Sequence, residues 1–215
     1  MMPIARGMLF GVLLRGVYPG SFNPPTTAHL AIAAAAREQW NLDRIVLVHS
    51  RRVLGKGEVE RPLFRHRVEV LEAVADRHEW LESAVTDRLL LADIAEGYDA
   101  VIMGADKWHQ IHELGWYRDE AHRSATLARL PQAIVAPREP LQVPGHLRLD
   151  LGVSTHGISS TEARGGRLDL MAPAAEAFAR RTGAWIDPDR YEAWLESDLV
   201  GPDPGNHEAP PVPER

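Results

Sequence analysis

Between Gly16 and His49 the chain passes from an apolar run through a glycine turn into a helix and then a second apolar run, a spacing that few topologies satisfy. Arg44 to His49 (RIVLVH) is a β-branched run of strand length, and Thr27 to Trp40 is rich in alanine and free of Gly and Pro, a strongly helical composition. Strand, helix and strand at this distance make a βαβ unit, with parallel strands and a right-handed crossover. Upstream, Met8 to Leu14 is short and ends at Arg15, with no small-residue cleavage pattern after it. It therefore reads as the first buried strand and not as a signal h-region.

The turn inside this unit, within GVYPGSFNPPTTAHL (Gly16 to Leu30), has the chemistry of an anion seat. A glycine lets backbone approach a ligand, two prolines keep the helix from starting early, and Thr26 or Thr27 can cap it once it does start. Unpaired N–H groups and the helix dipole then favour a negative charge above the strand. Thr26 and His29 are three residues apart, so on a helix they share one face and can reach one phosphate together. The bland alternative is an arbitrary turn with His29 facing solvent.

A second helix entry lies near the other end, Ile158-Ser159-Ser160-Thr161-Glu162-Ala163-Arg164. Hydroxyls and N–H groups donate to phosphate oxygens there, and the arginine can grip them bidentately. An ordinary capping box would look much the same. Between the two, Ser50 to Arg61 is a basic loop carrying Arg51, Arg52, Lys56 and Arg61, and Pro62 opens a helix running to about Asp76. Trp80 to Val85, Ala100 to Met103, Gln132 to Ala136 and His146 to Val153 read as further strands. Asp87 to Glu96 reads as a helix capped by Thr86 and stopped by Gly97, and Lys107 to His122 as two helical pieces divided by Gly115. Pro173 to Arg181 and Asp187 to Glu196 close the fold as helices.

Two hundred and fifteen residues fit one domain, here residues 1–199, and residues 200–215, with five prolines from Gly201 on, read as a disordered tail. A formal charge of −6 argues against a nucleic-acid or acidic-membrane binder, and any polyanion site must be small. Without cysteine there is no thiol nucleophile, thiolate metal site or disulfide. No segment approaches the roughly 20 apolar residues that span a bilayer, and a cytoplasmic location is expected. His109 and His112, with Glu113, could suggest a metal, but two histidines three apart without a third placed ligand are weak evidence, and they read as surface residues or substrate-side contacts.

GSFNPxTxxHL with ISSTEAR resembles the nucleotidylyltransferase superfamily, with its T/H-x-x-H and ISSTxxR signatures, over about Leu13 to Trp194. The wording is most similar to the nicotinate and nicotinamide mononucleotide adenylyltransferases. One departure is Ala28, where many members carry glycine. The resemblance implies an α/β fold with a doubly wound, mostly parallel Rossmann-like sheet and C-terminal helices. It implies adenylyl transfer from ATP to a pyridine mononucleotide with release of pyrophosphate, Mg²⁺ entering with ATP as cofactor. Catalytic roles fall on Thr26, His29 and Arg164. Contacts to ATP or its phosphates fall on Gly20, Ser21, Phe22, Lys56, Gly104, Asp106, Ser159, Ser160 and Thr161, and stacking on the pyridine falls on Trp116. Pantetheine-phosphate adenylylation, cytidylyl transfer and nucleotide binding without turnover are the rival readings. A homo-oligomer is possible, and neither nucleic acid nor membrane is expected as a partner.

Overall fold

A computed structural model describes residues 13–51, 60–152 and 158–199. Its centre is a five-stranded, all-parallel sheet of β1 (Arg15–Gly20), β2 (Arg44–Ser50), β3 (Leu81–Thr86), β4 (Ala100–Gly104) and β5 (Gln132–Ala136), in the order β3-β2-β1-β4-β5. The helices are α1 (Thr27–Gln39), α2 (Phe64–Ala75), α3 (Leu91–Ile94), α4 (Ala105–Gln110), α5 (Glu120–Leu127), α6 (Ser160–Arg164), α7 (Pro173–Thr182) and α8 (Pro188–Leu199). This is the doubly wound α/β fold expected from the sequence. The order reverses between β1 and β4, and the crevice above that switch point is where such sheets bind ligands.

Both faces of the sheet are covered, so the strands are apolar on both sides. Tyr18, Ile45, Leu47, Ile102 and Ile134 pack into one core, and Val17, Val46, Val48, Val101, Met103 and Val135 into the other. A third cluster joins Val70 of α2 to Ala163, Phe178, Tyr191 and Leu195, tying the C-terminal helices to the sheet layer.

Pro19 shapes the switch point. Pairing of β1 with β2 continues to Gly20 opposite His49, whereas pairing with β4 involves Gly16 with Ala100 and Val17 with Val101 and goes no further. A proline has no N–H to offer a second neighbour, so the two central strands part where the ligand crevice begins.

Several expected boundaries move. The first strand among the described residues is Arg15–Gly20; of the Met8 to Leu14 run, Leu13 and Leu14 are exposed coil, and the rest lies outside the described residues. Arg15 is accommodated at the strand's first position because its guanidinium reaches out to Glu82 at 3.2 Å and over the Tyr98 ring. Only Leu91–Ile94 of the Asp87 to Glu96 stretch is helical, because Thr86 Oγ1 accepts the Arg88 N–H in a local turn and does not cap a helix. Gly115 lies within a 3₁₀ turn, Leu114–Trp116, and α5 is started by the Asp119 cap. Among the described residues of the His146 to Val153 stretch there is a single bridge, Arg148 to Val135, and Gln39 clamps both main-chain polar groups of Asp150, drawing the chain off the sheet. Residues 200–215 lie outside the described residues. Among the described residues, no helix is long and apolar enough to cross a membrane.

Candidate active site

The turn after β1 is built around Phe22. Its ring is buried and meets Tyr18 edge-on at 5.7 Å and His29 at 5.2 Å, with its backbone in the left-handed region at φ 39°. Gly20 suits this packing, because a Cβ there would come within 3.0 to 3.2 Å of the Phe22 ring and push it by a few tenths of an ångström. Ser21 is half-buried between the two. Burial pushes the Tyr18 phenol well above its ordinary range, so the wall it forms is neutral.

Thr26 is fully buried and caps α1. Its main-chain N–H donates to His29 Nδ1 at 2.9 Å, its Oγ1 lies 2.7 Å from the same nitrogen, and the His29 N–H reaches Oγ1 at 3.4 Å. A backbone N–H can only donate, so Nδ1 is the acceptor and the neutral imidazole carries its proton on Nε2. The capping box thus sets the tautomer, with the proton on Nε2. Ala28 is buried within α1, so its methyl is packed into the fold.

The second motif closes onto the first across more than 130 residues of sequence. Ser159 caps α6 through the Glu162 N–H at 3.1 Å. Ser160 Oγ donates to the Pro24 carbonyl at 2.8 Å, and the Arg164 guanidinium donates to the Asn23 carbonyl at 2.5 Å and to Thr161 Oγ1 at 3.1 Å. Two further links run from Ala172 N to Pro25 O at 3.0 Å and from Thr27 Oγ1 to Leu170 O at 3.3 Å. Arg164 and the Ser160 hydroxyl therefore brace the turn. Arg164 has N–H groups beyond the two used here, and Thr161 is exposed.

Across the crevice, Gly104 ends β4 with ordinary extended dihedrals, and a Cβ there would meet nothing within 4 Å. Asp106, in the first turn of α4, is held by Arg138 at 2.6 Å in an exposed ion pair. Trp116 sits in the 3₁₀ turn beyond α4, half-buried, its indole donating to Glu113 at 3.2 Å. Its described bonds are local and do not tie it to His29 or Arg164. His109 and His112 bond to the Gln142 and Trp108 carbonyls, and no cluster of three metal-ligating side chains occurs among the described residues. Lys56 lies outside them.

Two polar residues near the turn escape a sequence reading. His49, at the end of β2, is fully buried, and Arg67 on the inner face of α2 comes within 3.4 Å of its Nε2. Burial, reinforced by the Arg67 charge, lowers the His49 pKa to about 4. The His49 ring packs edge-on against Phe64, over which Arg51 and Arg67 also lie at 4.5 and 5.3 Å. A polar pair replacing apolar residues inside RIVLVH and the α2 stripe was the available sign.

Strand order and the two linked helix-entry turns at the switch point define a doubly wound α/β protein with a candidate site at that edge of the sheet. The cytidylyltransferase-like family model matches residues 17–166, and the chain belongs to that family of nucleotidylyltransferases. It is similar to a probable nicotinate-nucleotide adenylyltransferase of Salinibacter ruber, 33% identical over 204 residues covering 87% of this chain and 97% of the relative. It is also similar to a protein of the same description from Bacillus pumilus, 30% identical over 118 residues, 46% of this chain and 62% of the relative.

Proposed function

We propose that the protein transfers the adenylyl group of ATP to nicotinate or nicotinamide mononucleotide, forming the dinucleotide and pyrophosphate. The observation that supports this reading is the clasp of Ser160 and Arg164 onto the carbonyls of Pro24 and Asn23, which brings the two distant helix-entry motifs together. The choice of a pyridine acceptor is supported by the names of the two relatives.

The mononucleotide phosphate attacks the α-phosphorus of ATP in line, and the bond to the β,γ-pyrophosphate breaks. No side chain forms a covalent intermediate. His29 donates its Nε2 proton in a hydrogen bond to an α-phosphate oxygen as charge gathers there, with Thr26 holding the ring in that tautomer. The spare donors of Arg164, with Thr161 and the α6 entry, receive the leaving pyrophosphate. The N–H, hydroxyl and guanidinium groups of the site suit phosphate and not a metal. Mg²⁺ would therefore be held by ATP oxygens and water, where it neutralises charge on the departing group.

The test is a coupled assay for dinucleotide formation from ATP and Mg²⁺, offering nicotinate mononucleotide, nicotinamide mononucleotide and phosphopantetheine side by side. Turnover with either pyridine substrate is expected, and the ratio of kcat/KM values reports the preference. Activity with phosphopantetheine alone would replace the assignment.

A further inference from the structure

His49 is fully buried at the end of β2, and its Nδ1 has no hydrogen-bond partner among the described residues. Arg67 Nη1 lies 3.4 Å from the other ring nitrogen, Nε2. A guanidinium only donates, so Nε2 accepts and the neutral ring carries its proton on Nδ1. The atom left over is therefore a donor, and a buried N–H without an acceptor costs stability that a hydrogen bond would recover.

His49 lines a cavity of about 60 Å³ between α2 and β3, together with Val68, Leu71, Glu72, Ser83 and Val85. Register explains the grouping. His49 is paired with Val85, and Ser83, two positions earlier on β3, projects from the same face of the sheet. Glu72 and Val85 are exposed whereas His49 is not, so the lining runs from the surface to the interior. A water molecule needs roughly 10–15 Å³ of such space and roughly two to four polar partners. The His49 N–H, the Ser83 hydroxyl and the Glu72 carboxylate supply them.

We propose that this cavity is a solvent-binding site, in which an ordered water accepts from His49 Nδ1 and donates to Ser83 Oγ or to the Glu72 carboxylate. The occupant must accept a hydrogen bond, which excludes a cation, and the Glu72 carboxylate in the same wall disfavours an anion. Both ring nitrogens are then satisfied, Nε2 by Arg67 and Nδ1 by water. The same ring meets Phe64 edge-on at 4.9 Å and Phe22 at 6.4 Å, so the water holds a side chain that backs the turn after β1. The inference is independent of the reaction proposed above, because it needs only the ring and the cavity.

The experiment has a direct arm and an energetic one, both on the full chain. A high-resolution crystal structure is expected to show a water within about 3.2 Å of His49 Nδ1. Long-range proton–nitrogen correlation is expected to place the ring proton on Nδ1, with cross-relaxation from that proton to water. In the energetic arm, Val68→Ile narrows the cavity. It is expected to lower the thermal midpoint by about 4 °C in the wild-type background, and by less than about 1 °C beside His49→Leu, where no buried N–H needs an acceptor. An equal loss in both backgrounds, which is overpacking, or a gain in both, which is the filling of a dry cavity, would overturn the proposal. A proton on Nε2, an anion at the site, or an Nδ1 without solvent beside it would do the same. Should His49→Leu fail to fold, the direct arm decides alone.

Discussion

Two glycine turns flank the switch point, and they are held in opposite ways. The turn after β1 is filled: Gly20 lies against Phe22, Thr26 and His29 lock each other, and Ser160, Arg164 and Trp185 brace Pro24 and Asn23 from the far end of the chain. The turn after β4 is open: Gly104 has space around it, and Asp106 is restrained by an exposed arginine. A group that must meet developing charge on phosphorus gains from being preorganised, because it then reorganises nothing during the reaction. A surface that receives a nucleoside can afford to adapt. Under the proposed function, the chemistry belongs to the first turn and adjustable recognition to the second.

The largest effect should come from the filled turn. His29→Ala is expected to lower kcat for dinucleotide formation by about 10²–10³-fold while most ATP affinity remains, as for loss of one preorganised donor. Single-turnover rates beside equilibrium ATP binding would check this, and an unchanged rate would remove His29 from the mechanism.

His49, opposite Gly20 in the β1–β2 register, extends the contrast to pH. Its folded pKa is about 4 against an ordinary value of 6.5. Above pH 6.5 the group is neutral in both states and makes no pH-dependent contribution. As pH falls towards 4, the unfolded chain takes up the proton and the folded chain does not, so stability declines across that window by up to about 3 kcal/mol. Urea unfolding of wild type and His49→Asn from pH 7 to pH 4 should show the wild-type slope reduced in the variant.

A methyl group added at each glycine compares the two turns directly. Gly20→Ala must displace the Phe22 ring and should cost about 1–3 kcal/mol of stability, whereas Gly104→Ala should cost less than about 0.5 kcal/mol. If the nucleotide occupies the space beside Gly104, the second variant should instead raise KM. Equal destabilisation by the two would break the comparison. Smallest of all, Arg138→Ala removes an exposed pair and should change stability by no more than about 0.5 kcal/mol, with any effect appearing in substrate KM.

Much of the candidate site's local geometry was legible because its residues are near one another in the chain. Gly20, Thr26 and His29 lie within ten positions, and a cap with its N3 residue forms wherever that helix forms. Ser159 to Arg164 is legible for the same reason. The long-range parts were not: Trp185 on Asn23, His49 against Arg67 and Asp106 tied to Arg138 join side chains brought together by strand order and helix packing. No spacing along the chain encodes them. Arg15 was hard to read for a related reason. Its charge interrupts the apolar pattern, yet the register with β2 begins there, because that charge escapes to Glu82 and Tyr98.

By itself the sequence determined the alternation of strand and helix, the two phosphate-type helix entries and the class of fold, because apolar periodicity, capping and glycine turns act over a few residues. The tertiary structure alone decided that Arg164 and Ser160 brace the first turn, that the Trp185 indole donates to Asn23, and that Pro19 lets β1 and β4 part above the switch point. Each of these depends on where a donor finds its acceptor, or fails to supply one, once distant segments have been packed side by side.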